Sequence, residues 1–188
     1  ATTTSVRKLK PSAEFEGHKG PVTGVAWAST RSLFTGSHDH NIVSWDVEAG
    51  TQLNVLYGSK AVNGVDYNPR NTLVASCHPD NTVRIWDPRT GGNTVGPTAT
   101  FQSHLQWVSS VRWNATGEHY LTSGSYDGSV KVWDIRAQRG ATHTIECAHG
   151  GGKVLCVDWS RGEEIVSGGS DNKLKSHILT VPSSGGDD

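Results

Sequence analysis

The residues of this chain with the most chemistry to offer are histidines that precede a hydroxyl and an aspartate in a recurring order. His18 is followed by Thr35 and Asp39, His104 by Ser123 and Asp127, and His149 by Ser167 and Asp171. A His, Ser and Asp set is the composition of a hydrolase triad, in which imidazole takes the hydroxyl proton and the carboxylate orients the ring. Here the set returns along the chain, together with a Trp suited to occupy the hydroxyl, whereas a catalytic nucleophile is unique and activated by a free base. The better reading is a buried chain of hydrogen bonds. Indole N–H donates to the hydroxyl, the hydroxyl bonds the imidazole, and the imidazole donates to the carboxylate. Such a chain pins strand ends when every member is satisfied. The expected members are His18, Thr35, Asp39 and Trp45; Ser76, Asp80 and Trp86; His104, Ser123, Asp127 and Trp133; and His149, Ser167 and Asp171. No catalytic residue is assigned.

Two copies depart from this pattern. Gly58-Ser59-Lys60 stands where the second copy should have its His, and His177 stands where the fourth should have its Trp. Both are expected to be less stable, by about 1–3 kcal/mol if a buried polar group loses its partner. The remaining histidines, in His38-Asp39-His40 and at His78, lack the His-x3-His helix or Cys pair that completes a metal site. They are read as loop residues on a solvated face, and no metal or cofactor is assigned. Cys77, Cys147 and Cys156 form no CxxC and fall in or beside predicted strands, so they are expected to be buried free thiols of a reducing compartment. A phosphate-binding Gly-rich loop and a GxSxG elbow are absent from the sequence, and Gly150-Gly151-Gly152 reads as a strand connection. The formal net charge of −1 supplies no global field toward nucleic acid or an anionic membrane. No stretch approaches the ~20 apolar residues of a membrane-spanning helix. Asn114-Ala115-Thr116 fits a glycosylation sequon but follows no secretory signal.

The elements that must position these residues repeat as well. Leu33 to Asp39 leads into Trp45-Asp46, Val74 to Asp80 into Trp86-Asp87, and Leu121 to Asp127 into Trp133-Asp134. Ile165 to Asp171 leads to His177. The turn aspartates Asp39, Asp80, Asp127 and Asp171 are 41, 47 and 44 residues apart. A repeat of that length ending in Trp-Asp is the signature of β-propeller blades. A second column precedes each copy: Val22, Val25 and Trp27; Val62, Val65 and Tyr67; Val108, Val111 and Trp113; Val154, Val157 and Trp159. Its last two members share one strand face, and the step of three before them predicts a bulge or a strand entry. Outer strands are expected at Gln52–Leu56, Thr98–Gln102 and His143–Cys147. The fourth copy has none, and the orphan strand Ala13–Glu16 is expected to complete the last blade from the other end.

Residues 1–12 read as a linker, 13–181 as the repeat region (copies near 17–46, 58–87, 103–134 and 148–177) and 182–188 as a disordered tail. The expected fold is all-β, with about four antiparallel four-stranded blades. Four is the bottom of the usual range, so they are read as part of a larger ring. These residues resemble the WD-repeat propellers. Ile42-Val43-Ser44-Trp45-Asp46, Ile85-Trp86-Asp87-Pro88-Arg89-Thr90, Val154 to Trp159 and above all Val166 to Leu174 are similar to the C-terminal blades of the WD-repeat subunit of the PeBoW complex. The resemblance implies a seven-bladed ring and a non-catalytic scaffold of large-ribosomal-subunit maturation and pre-rRNA processing. It implies pescadillo and a Bop-type propeller protein as partners, indirect association with the pre-ribosome, and a nuclear place in nucleolus and nucleoplasm. Membrane and small-molecule substrates are outside it. Family members also carry a ubiquitin-like domain that engages midasin; this sequence has no such domain, so that contact is not carried over.

The His before each first strand must meet the Asp of the middle turn, so both lie on one face of the disc. Lys19, Pro21, His38, Lys60, Pro79, Leu105, Trp107, Tyr126, Lys153 and Ser170 should project from that face as partner-binding residues. Trp107 with Tyr126 leads the set because exposed aromatics dominate interface energetics; the plainer reading of Trp107 is cover for its own blade edge. Trp86-Asp87-Pro88-Arg89 and Trp133-Asp134-Ile135-Arg136 admit a different function. They resemble the motif by which substrate receptors of cullin-RING ubiquitin ligases hold their adaptor through the Arg, here Arg89 and Arg136. The competing reading is a surface ion pair at each Arg.

Overall fold

The computed structural model describes residues 13–90, 96–137 and 140–179, so the 1–12 linker and the 182–188 tail lie outside the described residues. Within the described residues fifteen strands form four antiparallel meanders. The first sheet runs β1 (Val22–Trp27), β2 (Ser32–Ser37), β3 (Asn41–Asp46), β4 (Thr51–Tyr57), and the second β5 (Gly64–Asn68), β6 (Leu73–Cys77), β7 (Thr82–Trp86), β8 (Ala99–Gln102). The third runs β9 (Val108–Trp113), β10 (Tyr120–Ser125), β11 (Val130–Asp134), β12 (His143–Ile145). The fourth has three strands among the described residues, β13 (Val154–Arg161), β14 (Glu164–Gly169), β15 (Leu174–Ile178). Among the described residues the only helical turn is Pro88–Thr90, just after a Trp-Asp. The register slips between Val22 and Gly24, between Val108 and Ser110, and between Val154 and Cys156, which is the bulge that a step of three requires. In the second sheet Val62 instead lies ahead of the strand.

The core lies between sheets, because each strand carries bulky groups on both faces. Ala26, Phe34, Ile42 and Leu56 of the first sheet pack on Val62, Val65, Val74 and Trp86 of the second. Ala75, Cys77, Val83, Ile85 and Phe101 pack likewise on Val108, Val111, Trp113, Leu121 and Trp133, and Val130 and Val132 on Val154, Val157 and Trp159. The valine column of one blade thus enters the preceding sheet, at a position where that sheet holds a small residue. A Cβ on Gly124 would come within 2.6 Å of Val154 and 2.8 Å of Val157, and one on Gly36 within 2.6 Å of Val62. Gly124→Val should therefore wedge the last two blades apart, and we expect a loss of about 1–3 kcal/mol in urea denaturation. A denaturation midpoint equal to wild type would show that the interface yields.

Polar staples reinforce the same interfaces. The residue after each column valine reaches the next blade: Thr23 Oγ1 donates to the Val62 carbonyl at 2.5 Å, Asn63 Nδ2 to Val108 at 2.8 Å and Ser109 Oγ to Val154 at 2.7 Å. Each link satisfies a backbone carbonyl where two sheets meet.

Two expectations need correction. Ala13–Glu16 forms no strand and does not complete the fourth sheet. Its Phe15 instead packs edge-on against Trp45 of the first blade, with ring centroids 5.7 Å apart. Of the cysteines only Cys77 is buried, its thiol pushed up to about 12 by desolvation; Cys147 and Cys156 are exposed because they sit in a turn and on an uncovered face. At the two ends of the sheet series the interior columns are uncovered. Val25 and Trp27 are 60% and 61% exposed where Val65, Val111, Val157, Trp113 and Trp159 are buried and Tyr67 is half-buried, and Leu174 is 76% exposed where Ile42, Val83 and Val130 are buried.

Candidate functional site

The turn that closes each β2-type strand is built by its aspartate. Asp39 Oδ1 accepts from the N–H of Asn41, Asp127 Oδ1 from Ser129 and Asp171 Oδ1 from Lys173, at 2.9–3.1 Å. The residue after each turn Asp is left-handed: His40 (φ 77), Asn81 (φ 66), Gly128 (φ 82) and Asn172 (φ 61). Gly and Asn are the usual occupants of that conformation, and His tolerates it. His40 is therefore a turn residue, and no group of three metal-ligating side chains is assembled among the described residues.

With the turn fixed, the second carboxylate oxygen of Asp39 and of Asp127 faces the incoming His, whereas Asp171 uses Oδ1 for both bonds. His18 Nδ1–H donates to Asp39 at 2.8 Å, its Nε2 meets Thr35 Oγ1 at 2.7 Å, and Trp45 Nε1 donates to the same hydroxyl at 2.8 Å. His104 repeats the arrangement with Asp127 (2.9 Å), Ser123 (2.8 Å) and Trp133 Nε1 on Ser123 (2.8 Å). Burial lowers the His104 imidazole, so the ring is held neutral although Asp127 pulls it back. Burial also acts to raise Asp127, but the His104 ring, Ser129 and the Leu105 N–H outweigh it and hold the carboxyl far below its ordinary range.

The two divergent blades are not orphaned, contrary to the expectation from sequence. In the second blade His78, fully buried rather than on a solvated face, occupies the slot from the turn side. Its Nε2 meets Ser76 at 2.7 Å, its Nδ1–H donates to the Ala61 carbonyl at 2.8 Å, and Trp86 Nε1 donates to Ser76 at 2.7 Å. Asp80 is not joined to an imidazole; its oxygens hold Thr82 and Arg84. In the fourth blade His149 bonds Asp171 at 2.7 Å and Ser167 at 3.0 Å, and His177 Nε2 takes the indole's place on Ser167 at 3.0 Å. Crowding accompanies the His78 exchange at both loop positions. A Cβ at Gly58 would lie 2.4 Å from the His40 carbonyl, and one at Gly169 would lie 2.3 Å from the His149 ring. The slot admits one ring, from one side or the other. A His at the turn position, two after the hydroxyl and coinciding with a Gly at the usual place, was the signal in the sequence.

These hydroxyls have the partners of a triad serine but not its freedom. Ser76, Ser123 and Ser167 are buried, and each is capped by an indole or imidazole N–H, which leaves no approach for a substrate carbonyl. A second polar group lies on the inner strands, around a cavity of about 300 Å³ lined by Asp66, Arg112, Asp158 and Ser160. Its carboxylates are already engaged. Asp66, raised by burial, accepts the Trp113 N–H at 2.7 Å, and Asp158 accepts the Ser160 hydroxyl.

The residues offered to solvent lie just above the networks. A shallow cavity of about 560 Å³ spans three blades and is lined by Pro79, Asn81, Leu105, Gln106, Trp107, Tyr126 and Lys153. Trp107 stacks on Tyr126 with centroids 6.1 Å apart and planes 21° apart, while remaining 56% exposed. Lys153 Nζ sits 4.6 Å above the other ring. The backbone beneath is tied down: Leu105 N–H donates to Asp127, Ser125 Oγ to the Gln106 carbonyl and Tyr126 N–H to the Trp107 carbonyl. Lys19 borders a separate hollow with His18 and Asp39, and Pro21, His38, Lys60 and Ser170 lie outside the shared cavity. Arg89 and Arg136 each clamp the Asp two residues earlier through Nε and Nη2, at 2.7–3.0 Å, and Arg136 also lies over Tyr120. In both pairs the Arg is exposed while its Asp is largely covered, the arrangement expected of a strand-end ion pair.

A family model described as WD domain, G-beta repeat matches residues 9–46, 50–87, 96–134 and 141–176. A ribosome biogenesis protein WDR12 homolog of Ixodes scapularis is 41% identical over 165 residues, covering 88% of this chain and 38% of that protein. Homologs of the same description from Trichoplax adhaerens and Oryza sativa subsp. japonica are 37% and 35% identical, over 94% and 85% of this chain. The chain spans about two fifths of the length of these curated relatives. Among solved structures, the crystal structure of the computationally designed Ika4 protein superposes with a TM-score of 0.70 at 24% identity, over 92% of this chain and 100% of that one. That likeness concerns the fold.

Proposed function

Because the chain belongs to the WD domain, G-beta repeat family, we propose that it is a non-catalytic scaffold of ribosome biogenesis. In this role it docks protein partners in large-subunit maturation and pre-rRNA processing. The observation that carries the reading is that its likeness to ribosome biogenesis proteins runs through all four blades. The geometry supports a scaffold, since the buried hydroxyls serve the strand ends and the exposed side chains are aromatic, apolar and cationic. A Bop-type propeller protein and pescadillo are the partners this reading names, with the pre-ribosome reached through them and the nucleolus and nucleoplasm as the place of work. Docking is assigned to the Pro79–Leu105–Trp107–Tyr126–Lys153 cavity, where anchored loops present exposed rings and ordering costs on binding are small. Affinity purification of the tagged chain from cells, with quantitative mass spectrometry, tests the assignment. Large-subunit assembly factors should dominate the bound fraction; a cullin adaptor in their place would refute it and return Arg89 and Arg136 to consideration.

A further inference from the structure

Building on that reading, we propose that the cavity between the second, third and fourth blades takes an acidic, extended segment of a protein partner. An aliphatic side chain of that segment would lie against Trp107 and a carboxylate would meet Lys153. The first support is the charge on this face. Its turn aspartates Asp39, Asp127 and Asp171 are directed inward onto imidazoles, and Asp80 onto Arg84. The exposed ammonium groups of Lys19, Lys60 and Lys153 make no ion pair among the described residues. With these turn aspartates spent internally and no carboxylate among its lining residues, the cavity meets a partner as cationic although the chain as a whole is near neutral.

The second support is shape. Trp107 and Lys153 stand at the same position of successive blades, each next before the column valine, and Tyr126 lies between them. Ammonium, phenol ring and indole therefore form one continuous strip from the fourth blade to the third, with Leu105, 82% exposed, at its rim. A strip with a cation at one end and aromatic surface beyond it fits an extended chain that sets an acidic side chain beside an aliphatic one. Lys153 is the one cation among the residues lining the cavity, which is too few for a polyanionic backbone such as RNA.

The test places a photo-crosslinking benzoylphenylalanine at Gln106, inside the cavity, in the full chain expressed in cells, with the same group at exposed Glu163 as control. Mass spectrometry should find a peptide rich in Asp or Glu joined at position 106 and not at 163. Lys153→Glu should lower the yield about tenfold, whereas Lys153→Arg keeps it near wild type. A basic or uncharged peptide, RNA, no adduct, or a yield indifferent to Lys153→Glu would each overturn the proposal. Recovery of large-subunit assembly factors in the same cells, with any of those results, would leave the scaffold reading standing and remove only this occupant.

Discussion

His104→Ala should cost the folded state about 3–5 kcal/mol, the largest loss expected from any single polar substitution in the protein. Three groups depend on this ring. Asp127, 7% exposed, directs one carboxylate oxygen at Nδ1, Ser123 meets Nε2, and Trp133 lies on the same hydroxyl. Removing the imidazole leaves a buried carboxylate and a buried hydroxyl short of partners, and it empties volume beside Trp133, whose ring lies 5.9 Å from the imidazole. Asp127 keeps its bonds to the Leu105 and Ser129 N–H groups, so the turn survives while the strand end loosens. Urea denaturation of His104→Ala, Asp127→Asn and the double variant isolates the pair, and the double should cost clearly less than the sum. A loss below about 1 kcal/mol for His104→Ala would mean that water replaces the ring at little cost.

Acid should unfold the protein from the near-neutral side, through His78. Desolvation, aided by the nearby Arg84 charge, lowers this imidazole to about 4, against 6.5 in a model peptide. The folded ring is neutral, with Nδ1–H on the Ala61 carbonyl and Nε2 accepting from Ser76. The unfolded chain takes up a proton below pH 6.5 and the folded chain does not until about 4. The stabilisation is complete above 6.5 and drains away as pH falls through that window, by about 2 kcal/mol at pH 5 and on the order of 3 kcal/mol in full. Below it, Asp39, Asp127 and Asp171, whose folded carboxyls are held low, withdraw their own contributions as pH drops under 3.8. Stability measured from pH 7.5 to 5 should therefore fall steeply in the wild type and less steeply in His78→Gln. The slope should not vanish, because burial also lowers His104 and His177. Equal slopes in the two proteins would exclude His78 as the source.

The parts of this molecule that follow from periodicity were readable in the chain. Alternating valines and recurrent Trp-Asp ends define strands that need cover on both faces, and only radially stacked sheets supply it. What escaped was set by three-dimensional fit. His78 reads as a loop residue until its bonds to Ser76 and Ala61, set beside that of His149 to Ser167, show that one slot can be filled from either of two loops. His177 reads as a lost Trp, although an imidazole N–H can reach a hydroxyl as an indole N–H does. The staples Thr23, Asn63 and Ser109 share no residue type, so no pattern of letters marks them; they share a position and a carbonyl to reach. Ala13–Glu16 reads as a strand, but its Phe15 packs locally on Trp45 and the segment pairs with no sheet.

Because the networks beneath the docking face are internally satisfied, the face and the fold should be separable by mutation. Trp107 is over half exposed and holds its loop through its backbone carbonyl, which a substitution retains. The most direct measurement is the amount of large-subunit assembly factors co-purifying with wild type and Trp107→Ala at matched expression, read beside their melting curves. The docking account predicts a loss of about tenfold or more in bound partner, with a melting temperature close to wild type. Undiminished partner recovery by Trp107→Ala would contradict it and move the interface to another face of the molecule.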